Sequence, residues 1–171
     1  MSEKTATEYI RVPFRLTAKW REPAGYYVNR FFLNMRDKEE LWGIKCPKCQ
    51  AIWLPPEPVC GKCKIKIEDE AQNWVKLGNR GTLLVAYHVT GAREVDPSTG
   101  WHPDGQVFGP MGFICPDGGN EWTLLVHAID AETMEGLRPG MRVEAVWKPR
   151  AERTGTMQDI KFWRIVEDSN G

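Results

Sequence analysis

The stretch "CPKCQAIWLPPEPVCGKC", Cys46–Cys63, decides how this chain is read. It holds four of the five cysteines of 171 residues, in two C-x2-C pairs ten residues apart. A C-x2-C pair lets two thiolates reach one ion from a tight turn, and two such knuckles close a tetrahedral S4 site. Pro47 and Gly61 suit those turns. Packing as four small hydrophobes would not require this spacing. A thioredoxin-like redox site needs one pair in a βαβ setting, and no such pattern surrounds these cysteines. Thiolates also bind iron, but zinc is the expected ion, one per chain, through Cys46, Cys49, Cys60 and Cys63. An S4 site has no open position for water or substrate, so the metal is structural.

The composition sets the surroundings of that cluster. Lys plus Arg and Asp plus Glu number 23 each, so the chain lacks the basic surplus of a sequence-independent nucleic-acid binder. No apolar run reaches the roughly 18 residues that span a bilayer. The first residues, "MSEKTATEYIRVPF", have no apolar segment behind a positive start. A cytoplasmic location is expected, where thiols stay reduced and cysteine pairs are metal ligands before they are disulfides.

Upstream, residues 1–23 read as an extended arm. Residues 24–43 read as an amphipathic helix, with Tyr27, Phe31 and Met35 at i, i+4, i+8 and Val28 and Phe32 alongside. Residues 44–70 form the ribbon. A zinc hairpin cannot bury Ile52, Trp53 and Leu54 unaided. The helix and the Trp53-Leu54-Pro55 link are therefore expected to meet a partner, through Tyr27, Phe31, Phe32, Met35, Trp53 and Leu54. The competing expectation is that the helix packs on its own chain.

Downstream, residues 71–171 carry strand signals. "TLLVAYHVT", "VFGPMGFICP", "EWTLLVHAID", "MRVEAVWKPR" and "MQDIKFWRIV" read as five strands with irregular links. In the fourth, Met141, Val143, Ala145 and Trp147 alternate with polar residues, the mark of a half-buried strand. Five strands with little helix suggest a small barrel, of which the OB-fold is the commonest five-stranded type. The expected fold is mainly β: a helix, a rubredoxin-like zinc ribbon and a five-stranded OB-fold barrel.

This arrangement resembles the DUF35 family. The residues that carry the resemblance are "KCPKCQAIWLPPEPVCGKC", "GNRGTLLVAYHV", "GLRPGMRVEAVW" and "FWRIV". The resemblance implies an accessory subunit that binds a thiolase-superfamily enzyme or an acyl-CoA aldolase, with the partner carrying the catalytic residues. It implies a hetero-oligomer, an OB barrel near the partner's acyl-CoA site, and contact with the coenzyme A thioester through that partner. Some members serve aromatic acyl-CoA degradation. The segment from Gly91 to Pro110, with Trp101 and His102, is longer than a minimal hairpin link.

Catalysis within the chain has little to support it. His88 and His127 fall in expected strands, His102 lies in a loop, and Cys115 shows no neighbouring base. "GPMGF" fits no phosphate-binding motif. The alternative function is single-stranded nucleic-acid binding, since OB barrels stack bases on aromatics within a basic groove. Eight Trp and Lys45, Lys48, Lys62, Lys64 and Lys66 around the knuckles fit it. Glu68, Asp69 and Glu70 follow at once and oppose it.

Overall fold

The computed structural model describes residues 23–88 and 109–166. The arm, Trp101, His102 and most of the Gly91–Pro110 segment lie outside them. The chain runs from helix α1 (Tyr26–Lys38) to strands β1 (Leu41–Lys45), β2 (Ile52–Trp53) and β3 (Trp74–Leu77). It continues through β4 (Arg80–His88), β5 (Pro110–Pro116), β6 (Leu125–Ala128), β7 (Arg142–Trp147) and β8 (Ile160–Val166). Among the described residues no helix is long and apolar enough to cross a membrane.

Two sheets result. The first is the ribbon sheet, in the order β2-β1-β3. The second has five antiparallel strands in the order β6-β5-β4-β7-β8. It curls until its edge strands approach each other, and they meet at one parallel bridge, Ile129 to Trp163. There the N–H of Asp130 donates to the Trp163 carbonyl at 2.8 Å. This is the partly open five-stranded barrel expected of the OB class. Alternation along β7 puts Val143 and Ala145 inside, as the sequence pattern requires.

Helix α1 stops earlier than the expected Gly43. Glu39 adopts the left-handed conformation at φ 56°, and its N–H bonds the Met35 carbonyl at 3.2 Å. A left-handed residue after the last turn is the ordinary way to end a helix. The chain is thereby free to enter β1, which pairs with both β2 and β3. β3 therefore belongs to the ribbon sheet, although the sequence puts it with the barrel.

The helix joins the two sheets. Toward its N-terminus, the Tyr27 hydroxyl donates to the Ile67 carbonyl at 2.8 Å and its ring stacks on Trp74. Arg30 pairs with Asp69 at 3.0 Å. Toward its C-terminus it docks on the β7–β8 connection. There Arg153, only 6% exposed, reaches the Met35 carbonyl and pairs with Glu39 at 2.8 Å. Phe31, Met35, Leu41, Ile52 and Leu54 join Leu83, Ile114, Val143 and Trp163 in one hydrophobic core. A second, smaller core of Ile44, Cys46, Cys60, Ile67 and Trp74 surrounds the cysteine cluster.

Candidate metal centre

Two knuckles of matching geometry build the site. In the first, the Cys46 N–H donates to the Ala51 carbonyl at 2.9 Å and the Gln50 N–H to the Cys46 carbonyl at 2.9 Å. In the second, Cys60 donates to Ile65 at 2.9 Å and Lys64 to Cys60 at 2.8 Å. Gln50 and Lys64, each four residues after the first cysteine, both take positive φ, 62° and 58°. Such a turn lets the chain reverse immediately behind the thiols. Gly61 serves a different need. A Cβ there would lie 2.8 Å from Cη2 of Trp53, so the second knuckle is closed against that indole.

The four sulfurs converge, all within 4.8 Å of one another. Cys49 and Cys60 stand 3.7 Å apart. A tetrahedral ion with zinc–sulfur bonds of about 2.3 Å separates its sulfurs by roughly 3.8 Å, which the Cys49–Cys60 pair matches. Cys46 and Cys60 are fully buried, while Cys49 and Cys63 are half-buried.

The electrostatics demand a cation. Burial raises the Cys60 thiol, but the backbone N–H groups of Cys63 and Lys62 and the nearby thiols outweigh it and bring it to about 6. The Cys63 N–H donates to the Cys60 sulfur at 3.3 Å. Cys63 itself is pushed up to about 12, first by its hydrogen bond with Cys49. Four thiols this close cannot all ionise unless a divalent ion compensates them. The site holds one structural zinc. The structure brings together the four cysteines that the spacing singles out as its ligands.

Comparison with known proteins agrees on this region. Residues 34–66 match the family model "ChsH2, rubredoxin-like zinc ribbon domain". This match assigns residues 34–66 to the ChsH2-type rubredoxin-like zinc ribbons. No curated protein sequence matches it. Among solved structures it is similar to the Ltp2-ChsH2(DUF35) aldolase at 16% identity, TM-score 0.47, covering 84% of this chain and 97% of that one. It is also similar to a DUF35-family protein of unknown function from Sulfolobus solfataricus, at 17% identity, TM-score 0.46, with 80% and 81% covered.

The residues expected to face a partner are placed differently. Phe31 and Met35 are fully buried and Leu54 nearly so, all in this chain's own core. This corrects their assignment as partner anchors. The helix covers the junction of ribbon and barrel, which supplies the apolar surface that the ribbon alone lacks. Tyr27, Phe32 and Trp53 are half-buried, and each packs against one of the two cores. The Trp53 ring also lies 6.0 Å from Trp122 of the β5–β6 connection. The Leu54–Pro55 peptide in that link is cis.

The remaining candidates are quiet. Cys115, its thiol raised by burial and by Asp117, lies near the Pro116 and Asn120 carbonyls and, among the described residues, beside no base. Of the lysines around the knuckles, Lys66 pairs with Glu68 at 2.9 Å and Lys62 sits 4.8 Å over the Trp122 ring. Sequence reasoning missed the tie between the sheets. The Thr123 hydroxyl donates to the Ile52 carbonyl at 2.9 Å, and the Asn120 amide to the Gln50 carbonyl at 2.9 Å. The "DGGN" turn, read only as a turn, gave no sign of its contact with β2.

Proposed function

We propose that this chain is a non-catalytic accessory subunit that binds a thiolase-superfamily enzyme, with its OB barrel beside the partner's acyl-CoA site. The observation that carries the reading is the ChsH2-type ribbon, whose metal is enclosed by four thiolates. A closed S4 centre organises a fold and leaves no position at which to activate water or a carbonyl. Among the described residues, neither Cys115 nor a histidine is set against an activating partner. His127 Nε2 donates to a backbone carbonyl, that of Met157, at 3.1 Å.

The surface for such a partner differs from the one expected from sequence. On the outer face of the barrel Val85, Phe113 and Val126 lie in register across β4, β5 and β6. Val85 is 50% exposed and Val126 40%. Tyr87, Met111 and Ala128 form the adjacent row. These two rows contain no charged side chain, and contiguous apolar surface of this kind marks association sites. Tyr26 and Leu33 of α1 are also exposed.

Co-expression with the thiolase-type enzyme encoded beside this chain tests the reading. The two should co-elute as a hetero-oligomer, and acyl-CoA turnover should require both. Turnover by this chain alone, or failure to form the complex, overturns it.

A further inference from the structure

The edges of β6 and β8 meet only at the Ile129–Trp163 bridge. Beside that bridge a cleft of about 340 Å³ opens between the strands, within the range of small-molecule sites. Its walls are apolar, with Met111, Val126, Met157 and Ile160 among them. Lys148 and Lys161 line the same cleft. Among the described residues no carboxylate pairs with either ammonium group, and the only ring contact of Lys161 is Phe162, at 5.4 Å.

His127 forms part of the wall and is 8% exposed. A carbonyl cannot donate, so the bond to Met157 fixes the proton on Nε2. Nδ1 is left buried without a hydrogen-bond partner. Burial holds this imidazole below its ordinary value, against the pull of the Met157 and Ala128 carbonyls, although the latter makes no bond of full geometry. With the proton on Nε2, Nδ1 can only accept, so the bound group that satisfies it must bring a donor: the P–OH of a phosphate monoester does, whereas a carboxylate's oxygens do not.

We propose that the β6–β8 cleft binds a small organic anion with an apolar body, a phosphate monoester before a carboxylate. The two lysines take the charged head, and Met111, Val126, Met157 and Ile160 take the body. The site goes beyond the accessory-subunit reading and is tested apart from it, on the isolated chain, because Met111, Val126 and Ala128 also belong to the apolar rows offered to the partner.

The test uses the zinc-loaded, 15N-labelled chain without a partner. It is titrated with 3-phenylpropionate, phenyl phosphate, 3-phenylpropan-1-ol and acetate. Phenyl phosphate should shift amide signals at 126–128 and 157–161, and 3-phenylpropionate should do so with weaker affinity. The alcohol and acetate should each bind at least tenfold more weakly. The Lys148→Gln/Lys161→Gln variant replaces one half-buried and one exposed ammonium group by neutral amides of similar length, and it should lose at least tenfold in affinity with an unchanged spectrum elsewhere. Shifts scattered over the surface, no shifts at millimolar anion, equal binding of the alcohol, or undiminished binding by the variant would each overturn the assignment. None of these outcomes bears on whether the chain joins a thiolase-type enzyme.

Discussion

In the ribbon, β1, β2 and β3 have only five, two and four residues, and their core is built around Cys46 and Cys60. In the barrel, strands of up to nine residues surround Trp163, Leu83, Ile114 and Val143. The barrel buries enough apolar surface to hold its shape by packing. The ribbon does not, and an ion holds its two loops where hydrogen-bonded pairs are too few. The contrast is incomplete, because Ile52 and Leu54 of the ribbon and Phe31 and Met35 of the helix belong to the barrel's core. One half thus depends on metal and the other on packing, and α1 with the β5–β6 connection couples them.

Removing the metal should divide the halves most sharply. Cys49→Ser, or a strong chelator, should abolish stoichiometric zinc by elemental analysis. Structural zinc in small ribbons contributes on the order of 10 kcal/mol to folding. Amide exchange should then rise first at 44–67, while Leu83, Ile114 and Val143 keep their protection. Simultaneous loss of protection in both halves would mean that the shared core makes them one cooperative unit.

The sequence made the metal half legible and left the coupling obscure, for a physical reason. Ligand spacing is local, so Cys46, Cys49, Cys60 and Cys63 could be assigned without knowing where anything else lies. The barrel strands were also readable, because alternation such as Val143–Ala145 is local. An amphipathic face shows only that a helix will be covered. Phe31 and Met35 look alike whether the cover is a partner or the barrel of the same chain. The end of α1 was missed because Glu39 is a poor signal for a left-handed cap. The β6–β8 cleft was missed because His127, Lys148 and Met157 meet only through the curl of the sheet.

Phe31→Ala addresses that ambiguity. The side chain is fully buried at the junction, and deleting such a ring costs about 3–5 kcal/mol. The melting temperature of the isolated, zinc-loaded chain should fall by several degrees. A change confined to partner affinity, with the isolated chain as stable as before, would return the helix to the role of an external anchor.

The smallest effect should come from Thr123→Val, which probes the coupling itself. Thr123 is fully buried in the β5–β6 connection, and its hydroxyl donates to Ile52 of the ribbon. The same oxygen accepts from the Asn120 N–H at 3.0 Å. Valine keeps the shape and removes both bonds, leaving a buried carbonyl and a half-buried N–H without these partners. Such losses cost about 1–3 kcal/mol. The informative quantity is how that cost depends on zinc. With the ion bound, Ile52 is held in place and the full penalty should appear in urea denaturation. After chelation the ribbon no longer holds the Ile52 carbonyl against Thr123, so only the local bond to Asn120 remains to be lost. The penalty should shrink accordingly. An identical cost with and without zinc would show that β2 stays docked on the barrel when its metal is gone. The order of the ribbon would then come from the shared core through Ile52 and Leu54, and the ion would only tighten the knuckles.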